Sequence, residues 1–169
     1  MKPSLFMYAM SAALLISACN NNEGDNASAT DTTAANNTDT TAPAIKEEAV
    51  TYTSGNTTMN GYLTYDSSST AKKPVVLVVH EWWGLTDYPR TRARQLAELG
   101  YLAMAIDMYG GGNTADNPQA AQQAATPLYQ NPQEAKARLD AALQQALAHP
   151  MADTSKTAAI GYCFGGTMA

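Results

Sequence analysis

Three patterns of apolar residues follow one another along this chain, and each predicts a different kind of element. Residues 5–16 (LFMYAMSAALLI) are almost wholly apolar, a run of signal-peptide length that is short for a membrane-spanning helix. Residues 20–48 carry almost no large apolar side chain, and such a segment buries too little surface to offset its ordering entropy. From residue 49 onward, short β-type runs alternate with helical spacings. Residues 49–53 and 59–65 predict two strands joined as a hairpin through Ser54-Gly55-Asn56, a turn looser than the minimal one. Residues 74–79 (PVVLVV) form a continuous β-branched run, the mark of a strand buried on both faces. Residues 88–99 place Leu96 and Leu99 at helical spacing and stop at Gly100. Residues 101–106 (YLAMAI) read as the next buried strand, and Gly110-Gly111-Gly112 opens a polar loop punctuated by proline. Residues 132–148 predict an amphipathic helix with Ala135, Leu139, Ala142, Leu143 and Leu147 on one side, ended by Pro150. Residues 157–160 (TAAI) predict a last short strand.

A hairpin followed by strand, helix, strand, helix and strand predicts an α/β fold, with a doubly wound, mostly parallel sheet covered by helices on both faces. The organisation expected is therefore a signal segment over 1–18, a tether over 19–48 and a folded domain over 49–169. A domain of about 120 residues is sufficient for one core but small for this architecture.

The front of the chain reads as a targeting segment. Lys2 supplies a minimal positive region ahead of the apolar run, which closes on Leu15-Ile16-Ser17-Ala18-Cys19. That closing pentapeptide resembles a bacterial lipobox, which implies lipidation of Cys19 and a membrane anchor. The bland alternative is an ordinary secretory signal with an incidental cysteine. The expected location is the periplasmic side of a membrane. Asn20 lacks the aspartate that often retains lipoproteins at the inner membrane, which favours the outer one. Glu23, Asp25, Asp31, Asp39, Glu47 and Glu48 against Lys46 give the tether a net charge of −5, so the folded part is nearly neutral. It has no basic stripe, and no nucleic-acid partner is expected.

The chemistry gathers at strand ends. Gly161-Tyr162-Cys163-Phe164-Gly165-Gly166 follows the last predicted strand, and strand, G-x-nucleophile-x-G and helix is the arrangement of a nucleophile elbow. The glycines are expected on steric grounds, because a Cβ two residues either side of the nucleophile would strike neighbouring backbone. A buried structural cysteine beside a tight glycine turn is the competing reading. His80-Glu81-Trp82-Trp83-Gly84-Leu85 stands at the end of the valine-rich strand, and Asp107-Met108-Tyr109-Gly110 at the end of the next. In doubly wound sheets ligands bind outside the carboxyl ends of the strands, so the three clusters converge on one rim.

These motifs, HEWWGL, AIDMYGGG and AAIGYCFGG, resemble the dienelactone hydrolase family, carboxymethylenebutenolidase-like enzymes of the α/β-hydrolase superfamily, from about residue 50 to the end. The resemblance implies a hydrolase of small esters or lactones acting through a cysteine thioester, with Cys163 as nucleophile. Glu81 would contact and activate its thiol, and a following helix N-terminus would stabilise the thiolate. The backbone N–H groups of Trp82 and Phe164 would form the oxyanion hole. Trp83 and Tyr109 would line the pocket, although the tryptophan pair could equally be core. Asp107 reads as a loop-bracing carboxylate rather than a catalytic acid. In this fold the acid and histidine of the triad follow the nucleophile, and only Thr167-Met168-Ala169 follow Phe164-Gly165-Gly166. The expectation is an N-terminal part of a longer enzyme, inactive by itself, with an open edge on its last strand. No cofactor is implied, and no His, Cys or Asp cluster has metal-ligand spacing. Two other classes compete: a non-catalytic tethered lipoprotein that keeps the fold as a binding module, and a thiol-redox role for the unpaired Cys163.

Overall fold

The structure is a computed structural model that describes residues 42–169. The apolar leader, Cys19 and most of the expected tether lie outside the described residues. The elements run β1 (Ile45–Ser54), β2 (Thr57–Asp66), β3 (Lys73–Val79), α1 (Asp87–Glu98), β4 (Leu102–Ile106), α2 (Pro118–Gln130), α3 (Pro132–Leu147), β5 (Ala152–Gly161) and α4 (Phe164–Met168). One five-stranded sheet has the order β1-β2-β4-β3-β5. The β1–β2 and β2–β4 pairs are antiparallel, and β3 pairs in parallel with β4 and with β5. The three parallel strands carry the three strand-end motifs, so those motifs leave the sheet on the same side.

Side-chain size sorts the two faces of the sheet. On one face Val75, Leu77 and Val79 of β3 and Leu102, Met104 and Ile106 of β4 pack with Ala125 and Leu128 of α2, Ala135, Ala142 and Ala146 of α3, and Phe164. On the other, Val78, Ala103 and Ala105 meet Leu85 and Ala93 of the α1 side. The period of two along each strand thus gives the large residues to the α2–α3 layer and the alanines to α1. Small residues on both partners let α1 lie close to the sheet. Glu47 on β1 adds a polar tie to this layer, reaching Arg90 at 2.5 Å and Arg94 at 3.2 Å.

Several boundaries depart from the sequence expectation. Strand β1 begins at Ile45, so the last residues assigned to the tether are part of the sheet. There Tyr65 Oη donates to Glu48 Oε1 at 2.7 Å and holds the strand against β2. Ser54 pairs with Thr57, so the hairpin turn is the minimal two-residue one, with Gly55 at φ +55°. A glycine at the first turn position supplies the positive φ that a type II′ hairpin needs. The polar stretch after Gly112 contains a helix, α2, whose start is set by Asn117 accepting from Ala120 N–H at 2.9 Å ahead of Pro118. Strand β5 begins earlier than expected. Its register with β3 shifts between Pro74 and Val75, where the proline has no N–H to give, and resumes at Thr157. It forms one edge of the sheet, and Thr157, Ala158 and Ala159 are exposed along it.

The alanine face sets a steric limit on α1. Ala103 is fully buried against this layer. Ala103→Leu should lower the unfolding free energy by about 1–3 kcal/mol through overpacking. Urea denaturation followed by circular dichroism measures it.

Candidate functional site

The chain turns from β5 into α4 through one strained residue. Cys163 has φ +54° and ψ −112°, and it is the one non-glycine residue with positive φ among those described. An L side chain is unfavourable there, so surrounding contacts must hold it. Tyr162 N–H donates to Val79 O at 3.4 Å, Gly165 N–H to Tyr162 O at 2.9 Å and Gly166 N–H to Cys163 O at 3.0 Å. A Cβ on Gly161 would lie 1.9 Å from Gly165 O, and one on Gly165 would lie 2.5 Å from Val79 O and 2.6 Å from His80 O. The two flanking glycines are therefore required by backbone packed on backbone. Their consequence is that α4 starts directly against the end of β3, with Cys163 exposed at the turn.

His80 is the residue beneath that contact, and it is fully buried. Its ring stacks on Phe164 with centroids 5.6 Å apart and meets the Tyr109 ring edge-on at 4.8 Å. Nε2 accepts from Met108 N–H at 3.1 Å, and Nδ1 lies 2.5 Å from Glu81 O. A carbonyl only accepts and an N–H only donates, so the ring is neutral with its proton on Nδ1. Burial pushes its pKa below the ordinary histidine value. Both nitrogens are engaged, which leaves neither for proton transfer at the surface. The His149 ring lies tilted against Tyr65 with centroids 4.6 Å apart, near the start of β1 and far along the sheet from the elbow.

Asp107 braces the loop after β4, as expected from its place before the glycines. Its carboxylate is fully buried and accepts from Tyr109 and Gly110 N–H through Oδ1, and from Asn60 and Gly112 N–H through Oδ2, at 2.8–3.1 Å. Four charge-assisted bonds offset the desolvation of the charge. Arg138 of α3 holds the same loop from outside, with Nη1 donating to Met108 O at 2.7 Å and Tyr109 O at 3.1 Å. Tyr109 Oη in turn donates to Trp82 O at 2.8 Å, linking this loop to the one after β3. Burial of the Tyr109 phenol raises its pKa. The two loops also meet where Ala115 N–H donates to Trp83 O at 2.9 Å.

The expected site residues thus share one rim, with two qualifications. Glu81 is part-buried, its Oε2 has no partner, and no hydrogen bond joins it to Cys163 among the described residues. Trp82 and Trp83 stand edge-to-face at 5.1 Å, neither of them buried, and Trp82 packs against the core. In the loops and turns the N–H groups of Trp82 and Phe164 donate to no backbone carbonyl. Sequence reasoning missed Arg138 and Tyr129. The latter lies on α2 and stands edge-on to Phe164 at 5.4 Å, half-exposed. No group of three or more His, Cys, Asp or Glu side chains could hold a metal ion among the described residues.

The model of the dienelactone hydrolase family matches residues 59–169. A protein of Aquifex aeolicus (strain VF5), whose name makes it a candidate carboxymethylenebutenolidase, is 34% identical over 101 residues, covering 57% of this chain and 43% of its own. A solved structure titled m3DLH is 40% identical with a TM-score of 0.72, covering 75% of this chain and 52% of its own. The dienelactone hydrolase-like promiscuous phosphotriesterase P91 from metagenomic libraries is 36% identical with a TM-score of 0.71, covering 73% of this chain and 52% of its own. The chain spans about half the length of these three relatives.

The buried neutral His80 makes stability depend on pH with a definite sign. Its folded pKa lies below the unfolded value, so stability is fully present above about 6.5 and falls as the pH drops below it. His80→Gln removes this contribution. Thermal melts between pH 7 and pH 5 should therefore show a steeper loss for the wild type than for that variant.

Proposed function

Since the chain belongs to the dienelactone hydrolase family, we propose that the whole protein hydrolyses small carboxylic esters or lactones, with Cys163 as its nucleophile. The observation that carries this reading is the strained elbow. A cysteine held at φ +54° between two sterically required glycines, exposed at the end of a parallel strand, has the geometry of a nucleophile rather than of a core residue. On this reading Glu81 accepts the thiol proton when substrate arrives, which fits a part-buried carboxylate with an unpartnered oxygen at the same rim.

The reaction then runs through a thioester. The Cys163 thiolate bonds the carbonyl carbon, and the carbonyl electron pair moves onto oxygen. Trp82 and Phe164 N–H receive that oxyanion. Collapse breaks the carbon–oxygen bond to the leaving alcohol, which takes up a proton. Water attacks the thioester, releases the carboxylate product and restores the thiolate. His80 has both ring nitrogens engaged and His149 sits far from the elbow, so neither is the general base of this scheme. A thiolate nucleophile suits enol esters and lactones, whose leaving groups are good. Trp83 and Tyr109 are proposed to flank the substrate.

The leader carries a separate proposal that rests on residues 15–19 alone. Cys19 is lipidated, and the hydrolase is tethered on the periplasmic side of a membrane, the outer one being favoured. Cys19→Ser should then move the protein from the membrane fraction to the soluble fraction.

For the catalytic reading, hydrolysis of p-nitrophenyl acetate by the whole protein should fall to background in Cys163→Ala. Glu81→Gln should reduce it by on the order of 10²-fold. Unchanged turnover in Cys163→Ala would overturn the assignment of the nucleophile.

A further inference from the structure

We propose that His80 is a positioning residue which aims and polarises the Trp82 N–H as an oxyanion donor, by gripping the carbonyl on the other side of the same peptide unit. The inference rests on the hydrolytic reading above and goes beyond it, because it assigns a role to a side chain that touches neither substrate nor nucleophile.

The C=O of Glu81 and the N–H of Trp82 belong to one peptide unit. In a trans peptide the C=O and N–H point in opposite directions, so fixing one fixes the other. No cis peptide occurs among the described residues. Glu81 O accepts from His80 Nδ1–H at 2.5 Å and from Gly84 N–H at 3.2 Å. Both donors hold the carbonyl toward the buried ring, which turns the Trp82 N–H away from it. That N–H donates to no backbone carbonyl of the loop and is left available.

Three further features make the arrangement specific. The acceptor bond from Met108 N–H to Nε2 fixes the tautomer that places the proton on Nδ1. Without it the ring could present a lone pair to Glu81 O and repel it. The stack of the ring on Phe164 ties the same imidazole to the residue carrying the second donor. The ring therefore references both N–H groups to one rigid body. Donation into the carbonyl also polarises the peptide, since hydrogen bonds in a chain strengthen one another in a low-dielectric interior. The Trp82 N–H becomes a better donor as negative charge develops on the substrate. The burial that lowers the His80 pKa keeps the ring neutral, and this donor pattern intact, down to mildly acid pH.

The test compares His80→Leu with His80→Gln in the whole protein, using p-nitrophenyl acetate. Leucine supplies no donor. A glutamine amide presents a donor and an acceptor about as far apart as the two ring nitrogens. The expected result is a loss in kcat of about 10²-fold for the leucine variant, with KM nearly unchanged. The glutamine variant should stay within about tenfold of wild type. A folded His80→Leu protein with wild-type kcat, or a glutamine variant as impaired as the leucine one, overturns the proposal. A merely structural role would move kcat and KM together, or be visible only in melting temperature. If the leucine variant does not fold, the wild type carries the test by 15N NMR. An aliphatic aldehyde that bonds Cys163 Sγ as a hemithioacetal should shift Trp82 N–H and His80 Nδ1–H downfield together. A shift at Trp82 with none at His80 overturns the coupling. Absence of any wild-type turnover removes the hydrolytic reading and this inference with it. Wild-type turnover with an unimpaired leucine variant removes this inference alone.

Discussion

The arrangement of the rim depends on one contact, backbone of the elbow packed on backbone at the end of β3. Gly161 and Gly165 face each other with no room for a Cβ, and Gly165 faces the carbonyls of Val79 and His80 in the same way. This closeness holds the start of α4 over the sheet, puts the Phe164 ring onto His80 and leaves Cys163 at the surface. Any side chain at either glycine would push α4 off the strand end. The elbow would then lose both its strain and its neighbours. Two missing methyl groups therefore govern the geometry of a rim built from three separate strands.

Two buried polar side chains at that rim solve different problems with the same physics. Asp107 is a charge, and four N–H donors from two segments satisfy it, which ties the β4 loop to Asn60 on β2. His80 is neutral, and one donor and one acceptor satisfy it, which ties the β3 end to the β4 loop. An unpaired charge in either position would be costly in a low-dielectric interior. Arg138, reaching in from α3, adds a third tie through the carbonyls of Met108 and Tyr109. The loops at the strand ends are thus held by side chains from three separate elements.

Much of this was legible in the sequence, and the part that was not has physical reasons. The valine run, the helix over 132–148 and the glycine-flanked cysteine carry strong local signals, and each became the element or turn expected. The motif alone implies, on steric grounds, glycine at 161 and 165. The sequence of helix α2 suggests a loop, because its prolines look like punctuation and its inward stripe of Ala121, Ala125 and Leu128 is small. Asn117-Pro118 was in fact a helix start, a cap followed by proline in the first turn. The beginning of β1 was hidden because Ile45 stands alone before charged residues whose partners, Arg90 and Tyr65, are distant in the chain. Asp107 could be read as a brace because three of its four donors, Tyr109, Gly110 and Gly112, lie nearby. The engagement of His80 could not, because Met108 is 28 residues away. Local chemistry was readable; pairings closed by the fold were not.

The backbone of Cys163 makes stability and chemistry compete at one position. A residue held at φ +54° is one where glycine would relieve strain, so the most stable sequence for this backbone does not contain the thiol. A search for thermostable variants guided by melting temperature alone would be drawn to that glycine, and would improve the fold by erasing its exposed thiol. Where a fold keeps an unfavourable residue in a conformation that glycine would satisfy, the side chain is there for something other than folding.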